Sequence, residues 1–355
     1  MKTRSKLFNI DLNKDIPVDE FVEKALYERD IGYYSNKIPF GSKGDFITAP
    51  TISNLFSEII GIWIVSTWER LGKPKKLNLV ELGPGDGSLA KVLIYTFEKF
   101  PKFNKAIKIF LYEKSQLLKD VQRKKINNSR VKWIKNFNFI NKGPVIFFGN
   151  EFFDAIPIKQ FFKKNEGWVE RFVELKNSKK AEFKEQKINI TKLEHSLNFE
   201  ISKNQKIIEY SPETFKYLKS ICEIIQRNGG GMLIIDYGYL GSKMQETLQA
   251  VNNHKYSDVL ENIGDSDITY NISFNLFQKF TSQFYNLDSI VTNQKKFLTS
   301  MGILQRAEII SKNIPFSKKT DLFYRIRRLI DEKQMGELFK VMLIKNIKNQ
   351  FKTGF

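Results

Sequence analysis

One cysteine, Cys222, and two histidines, His195 and His254, are all the thiol and imidazole that 355 residues contain. A single thiol excludes an internal disulfide framework and any site built from several cysteines. Two histidines are too few for a multi-histidine centre, so no metal is expected. No run of ~18 apolar residues goes without a charge, so no membrane-spanning helix is expected. The most apolar helical segment, 59–68, has Glu58 before it and Glu69 after it. The first ten residues are basic but carry no apolar stretch, and Asp11 follows. That is not the pattern of a secretory signal. Apolar material itself is plentiful. Hydrophobic residues make up 41% and charged residues 27%, which is not the composition of a disordered chain.

Acid is the scarcer charge. Lys and Arg number 58 against 39 Asp and Glu, a formal net charge of +19. The basic residues are scattered, and the longest run is Arg123-Lys124-Lys125. No basic stripe with interleaved aromatics occurs, so nucleic acid is not an expected partner. The excess reads as the composition of a chain rich in Lys, Asn, Ile and Phe. A general attraction to acidic partners follows from it.

The order of elements points to an α/β protein. A short helix is expected over 17–26, with Pro near its start and acids in the first turn. A glycine-containing loop follows over 32–50. Apolar residues at helical spacing then predict a long helix over 52–71, stopped by Gly72 and Pro74. From residue 77 strands and helices alternate. Strands are expected at 77–82, 107–112, 131–134, 144–149 and 232–236, and helices at 88–100, 116–125 and 212–227. A last strand is expected at 338–344. This order predicts a parallel, doubly wound sheet. The stretch 157–210 interrupts it with a β-hairpin (158–163 and 168–174) and a polar, Lys-rich flap. The turn-rich stretch 241–272 reads as a lid loop. The expected division is 1–76, a helical segment with a substrate loop; 77–156, the first half of the core; 157–210, the insertion; and 211–355, the second half.

The most informative stretch is Leu79-Val-Glu-Leu-Gly-Pro-Gly-Asp-Gly-Ser88. A buried strand ends in Glu81. A turn with Gly83, Pro84, Gly85 and Gly87 follows, then a helix. Glycines allow a tight turn and let a ligand lie against the backbone. The next strand ends in Tyr112-Glu113, where a carboxylate can accept both hydroxyls of a ribose. Two ligand classes compete. Gly85-Asp-Gly-Ser-Leu-Ala90 satisfies G-x-G-x-x-A, which allows a nicotinamide or flavin dinucleotide. An acid at the strand end followed at once by G-x-G-x-G favours S-adenosyl-L-methionine (AdoMet), whose ammonium Glu81 could help neutralise.

Asn150-Glu-Phe-Phe-Asp154 stands at the carboxyl end of another expected strand, where open α/β sheets bind ligands. An Asn followed by apolar and aromatic residues resembles the loop that holds the target nitrogen in N-methyltransferases. Asp236-Tyr237-Gly238 ends a further strand and could line the substrate pocket. His254 could act as a base near neutral pH. His195 falls in the polar flap, and Cys222 is expected to be buried and inert.

Together these motifs resemble the MidA family of AdoMet-dependent methyltransferases, which includes the mitochondrial complex I assembly arginine methyltransferase. The matching stretches are Asp30-Ile-Gly-Tyr-Tyr34, Gly44-Asp-Phe-Ile-Thr-Ala-Pro50, Val80-Glu-Leu-Gly-Pro-Gly85, Asn150-Glu-Phe-Phe-Asp-Ala155, Gly231-Met-Leu-Ile-Ile-Asp-Tyr-Gly238, Thr247-Leu-Gln-Ala-Val251 and Asp267-Ile-Thr269. They occur in the same order from about residue 17 to 345. One departure is Asp86, where the family often has Arg. The resemblance implies a seven-stranded, Rossmann-like class I methyltransferase sheet with an N-terminal helical segment and inserted lid elements. It implies S-adenosyl-L-methionine as cofactor, held by Glu81, Gly83, Pro84, Gly85, Gly87, Glu113 and Asn150. It implies a protein substrate, arginine of a respiratory-complex subunit being the known mitochondrial case. Glu151, Asp154 and Asp45 are the candidate carboxylates for orienting a guanidinium and taking its proton. Phe46, Thr48, Phe152, Phe153, Asp236, Tyr237 and His254 are the candidates for the substrate surface. A homodimer is compatible with the sequence. The bacterial cytoplasm is the expected compartment, ahead of the mitochondrial matrix. The alternatives are a small-molecule or RNA methyltransferase, a dinucleotide-dependent oxidoreductase and a non-catalytic assembly factor.

Overall fold

The computed structural model describes residues 15–29, 31–36, 48–177, 180–252 and 255–355. The chain divides into two compact units. One comprises Ile38–Phe153, Leu218–Tyr239 and Phe274–Phe355; the other comprises Met1–Lys37, Asp154–Tyr217 and Leu240–Ser273.

The larger unit contributes to an eight-stranded sheet the seven strands of its main path: β1 (Leu77–Leu82), β2 (Ile107–Tyr112), β3 (Val131–Ile134), β4 (Val145–Asn150), β5 (Gly230–Tyr239), β6 (Leu287–Asn293) and β7 (Phe339–Asn346). Their spatial order is β6-β7-β5-β4-β1-β2-β3. β1 runs parallel to β2 and β4, β2 to β3, and β4 to β5. β7 is antiparallel to both β5 and β6. A sheet covered on both faces needs unbroken apolar strands. All six residues of β1 are accordingly buried, as are the first five of β4. The chain winds outward from β1 through β2 to β3, then returns to the other side of β1 as β4. The reversal leaves a crevice outside the carboxyl ends of β1 and β4, the place where such sheets take ligands.

Three helices of this unit bear on the site: α1 (Asn54–Arg70), α2 (Ser88–Glu98) and α3 (Gln116–Ile126). The expected helix over 52–71 is broken at its start. Ser53 is extended, with φ −153°, and its hydroxyl accepts from Leu55 N at 3.2 Å, so a separate short helix, Ala49–Ile52, precedes α1. A serine offers the backbone this alternative to a continuous helix. The α1 and α2 axes approach closely at Gly61, where a Cβ would meet Thr96 at 3.0 Å. Cys222 is fully buried, and burial pushes its thiol pKa up.

The smaller unit holds an antiparallel sheet. The expected hairpin is present as Lys159–Lys164 paired with Gly167–Asn177. The flap differs from expectation. Lys180–Ile188 is a third strand on the other edge of Gly167–Asn177, and a helix, Ile190–Leu197, follows. Its alternating Lys and Glu residues hide a strand because the partners across the ladder are polar too. The lid stretch also contains structure: Gln249–Asn252 pairs with Lys255–Ser257 and with Asp267–Thr269. The N-terminal helix, Val18–Tyr27, buries Val18, Phe21, Val22, Ala25 and Leu26, one face at helical spacing. Among the described residues no helix is long and apolar enough to cross a membrane.

Candidate functional site

β1 ends on Glu81-Leu82, and the chain turns at once into α2. Gly83, Gly85 and Gly87 have φ of 59°, 56° and 80°, a region that costs any residue with a Cβ. Gly83 has a second reason to be glycine, since a Cβ would lie 2.7 Å from the Phe152 ring. The turn is pinned by Gly83 N donating to the Tyr112 carbonyl and Gly87 N donating to the Pro84 carbonyl, both at 2.9 Å. Asp86 steadies the helix start. Its Oδ1 accepts from Ser88 N at 2.9 Å, and its Oδ2 from Ser88 Oγ at 3.0 Å and Lys125 Nζ at 2.5 Å.

Two carboxylates flank this turn. Glu81 is 4% exposed, and its Oε2 is buried with no hydrogen-bond partner among the described residues. Burial, then the nearby Asp86 charge, push its pKa up to about 8. Glu113 stands just past the end of β2. Its Oε1 accepts from Ser115 N at 2.8 Å, and its Oε2 from Gln122 Nε2 at 3.1 Å. Burial raises its pKa, and these hydrogen bonds oppose the rise.

β4 ends at Asn150, whose Nδ2 donates to Glu151 Oε1 at 2.9 Å while its Oδ1 is buried with no partner among the described residues. Glu151 has φ +52°, unusual for a residue with a side chain, and its N–H donates to the Ile235 carbonyl at 2.9 Å. Glu151 Oε1 also lies 3.4 Å from Ala49 N, which places Thr48 beside this loop. Asp236, fully buried on β5, accepts from Phe152 N at 3.2 Å and Phe153 N at 2.9 Å through Oδ2, and from Tyr237 N at 2.9 Å through Oδ1. Its carboxylate holds the Asn150–Phe153 loop by the backbone. Phe153 is fully buried against Phe277, and Tyr237 packs on Phe339 with centroids 4.1 Å apart. Phe152 stands edge-on to Tyr112, with centroids 6.5 Å apart.

The structure thus gathers Glu81, Gly83, Pro84, Gly85, Gly87, Glu113, Asn150, Glu151 and Phe152 at one end of β1, β2 and β4. Asp154 belongs to the smaller unit, where it is 5% exposed and its carbonyl accepts from Tyr270 N at 3.2 Å. Asp45, Phe46 and His254 lie outside the described residues. Sequence reasoning missed Gln122, Trp133 and Lys125. Gln122 carried one signal: a polar residue on the apolar stripe Leu118, Gln122, Ile126, spaced by four. Among the described residues no group of three or more His, Cys, Asp and Glu could hold a metal ion.

These residues fit AdoMet. An unsatisfied buried carboxylate oxygen at Glu81 suits an ammonium, and a second acid one strand away suits a ribose diol. A dinucleotide fits less well, because its pyrophosphate would lie against Asp86 and, once ionised, Glu81, and among the described residues only Asp86 has a cation beside it.

Comparison with known proteins agrees. Residues 59–292 match the family described as "Putative S-adenosyl-L-methionine-dependent methyltransferase". The chain belongs to this family of AdoMet-dependent methyltransferases. Among curated relatives, the protein arginine methyltransferase NDUFAF7, mitochondrial, of Xenopus laevis is 28% identical over 98% of this chain and 85% of its own length. The NDUFAF7 homolog, mitochondrial, of Drosophila melanogaster is 30% identical over 92% of this chain and 80% of its own. Both are named as mitochondrial, which lends no support to the bacterial cytoplasm expected from the sequence. A Burkholderia thailandensis protein solved with S-adenosyl-homocysteine bound superposes with a TM-score of 0.80 at 22% identity, covering 96% of this chain and 90% of that one. It establishes the shared fold.

Proposed function

We propose that this enzyme methylates an arginine side chain of a protein substrate, as the names of its curated relatives state for those proteins. The observation that carries the cofactor half of the reading is Glu81, a buried acid with an unpartnered oxygen beside three positive-φ glycines. Glu81 would hold the ammonium, Glu113 the ribose, and the turn backbone the chain between them. Bound AdoMet supplies a methyl group activated by its sulfonium. Much of the remaining work is positioning.

A guanidinium is protonated at neutral pH and must lose a proton during or after transfer. Glu151 is the candidate to orient it, since a carboxylate can pair with a guanidinium through two hydrogen bonds. Asn150, whose Nδ2 holds Glu151 and whose Oδ1 has no partner among the described residues, would fix the target nitrogen. Asp154 and Asp45 are further candidates for the proton. Thr48, Phe46, Phe152, Tyr237 and His254 are candidates for the substrate surface; Phe153, expected there too, is fully buried, and Asp236 holds Phe152 and Phe153 by their backbone. Functional divisions at residues 76, 156 and 210 belong to the same reading. The mitochondrial relatives favour a matrix compartment, and the resemblance to the complex I assembly enzyme favours a subunit of that complex as substrate.

Calorimetric titration with AdoMet and, separately, NADH tests the cofactor. Binding of AdoMet alone is expected, with loss of about tenfold or more in Glu113→Ala. Glu151→Gln separates chemistry from binding: AdoMet affinity should stay within about twofold while turnover on the protein substrate falls by about a hundredfold or more. Near-normal turnover in Glu151→Gln would remove that residue from the chemistry.

A further inference from the structure

One buried amide ties the two halves of the cofactor site together. Gln122 is fully buried on α3, at a position where Leu118 and Ile126 call for an apolar neighbour. Its Nε2 donates to the Gly85 carbonyl at 2.8 Å and to Glu113 Oε2 at 3.1 Å. Its Oε1 accepts from Trp133 Nε1, on β3, at 2.8 Å. An indole N–H can only donate. Trp133 therefore decides which end of the amide faces the site: both N–H groups of Gln122 point to the turn and to Glu113. Arg123 lies over the Trp133 ring, 5.2 Å from its centroid, and Gln122 also packs under the turn, 3.4 Å from where a Cβ of Gly87 would stand.

The count of lone pairs gives this arrangement its meaning. An ionised carboxylate offers about four acceptor sites, two on each oxygen. Ser115 N occupies one on Glu113 Oε1, and Gln122 one on Oε2. The Lys114 backbone N–H also donates to this carboxylate, which leaves acceptor capacity for a ribose hydroxyl.

We propose that Gln122, oriented by Trp133, is a positioning residue for AdoMet. It holds Glu113 ionised and aligned for the ribose, and through the Gly85 carbonyl it locks the glycine turn to the same frame. The ribose site and the turn then form as one unit. The inference rests on the AdoMet reading of the site. In keeping with it, the Gln122 hydrogen bond opposes the upward push that burial gives the Glu113 pKa.

Three variants test it, with S-adenosyl-homocysteine as the calorimetric probe and thermal melting of the unliganded protein as the folding control. Gln122→Met fills the same space without hydrogen bonds and should weaken binding about ten- to a hundredfold, the worth of losing a bond to a charged group. Gln122→Glu puts a second acid against Glu113. Its binding should be weakest at pH 8 and recover as pH falls towards 6, where a shared proton restores a donor. A merely structural role would not produce that pH profile. Trp133→Phe keeps the ring, releases the amide and should weaken binding less than Gln122→Met. In a Glu113→Gln background, Gln122→Met should cost far less than it does in the parent chain. Gln122→Met binding within twofold of the parent overturns the proposal, as does equal loss with and without Glu113. A parent chain that melts cooperatively yet does not bind the probe overturns the cofactor reading itself and the proposal with it. Should Gln122→Met not fold, Trp133→Phe and the Gln122→Glu pH profile still decide.

Discussion

Glu81 concentrates the chemistry of the site in one carboxyl group. Burying it without a partner on Oε2 penalises the charged form, and Asp86 adds repulsion, so its pKa rises to about 8 from a usual value of 4.5. The sign of the consequence is definite. The folded protein keeps the proton over a range where the unfolded chain has lost it. Stability from this group is therefore full below about pH 4.5 and is lost as pH rises through about 8. Melting curves of the parent and Glu81→Gln, unliganded, should diverge across that window, the parent losing stability on the order of a few kcal/mol relative to the variant. On the proposed cofactor reading, ligand binding reverses the preference, because an ammonium beside Glu81 would favour the carboxylate. At pH 7, binding of S-adenosyl-homocysteine should release a fraction of a proton, read from calorimetry in two buffers of different ionisation enthalpy. Glu81→Gln should abolish that release. A parent chain that releases no proton would mean that Glu81 does not face the ammonium.

At the scale of elements, a single acid organises the lid stretch of the smaller unit. Glu209, on the strand Ile207–Tyr210, is 5% exposed. Its Oε1 accepts from Gln160 Nε2 at 2.8 Å, Thr247 N at 2.9 Å and Leu248 N at 3.1 Å, and its Oε2 from Thr247 Oγ1 at 2.5 Å. Glu209→Ala leaves these donors buried and unpaired, at a cost of about 2–4 kcal/mol. Hydrogen exchange should report faster opening of the Thr247 and Leu248 amides, with β1, β2 and β4 unchanged. Glu209→Gln keeps one acceptor oxygen and should recover part of the protection. This element also marks where the sequence stopped being legible. β1, β2 and β3 have the bounds that their apolar runs and flanking turn residues predicted, most plainly β1, whose six residues are all buried and so form an unbroken apolar run. Lys180–Ile188 carries no such mark, since its residues alternate between charges paired across the strand, such as Lys184 with Glu174. The glycine turn was legible for a similar reason: positive φ leaves a residue little choice but glycine. Gln122 and Trp133 were not, because hydrogen bonds between α3, β3 and the turn are visible only once the sheet has brought them together.

At the scale of the whole chain, the net charge of +19 separates two kinds of binding. Exposed ion pairs such as Lys187 with Glu166 and Lys164 with Glu185 contribute little to stability. The unpaired excess still creates a positive field that steers acidic partners and is screened over about 8 Å at physiological salt. The cofactor responds differently. AdoMet carries compensating charges of its own, and its proposed partners Glu81 and Glu113 are buried and half-buried, where salt screens less than at the surface. Raising sodium chloride from about 50 to about 300 mM should therefore leave the dissociation constant of S-adenosyl-homocysteine within about twofold. The same change should lower kcat/KM for an acidic protein substrate by about tenfold or more, mainly through slower association. Adding the acidic substrate's own charge-neutralised variant completes the argument. If its kcat/KM is salt-independent and matches the acidic form at high salt, the basic surface recruits substrate by its field. If both forms respond alike, the excess of lysine has no part in choosing the substrate, and recognition rests on the carboxylates and aromatics around Asn150–Phe153.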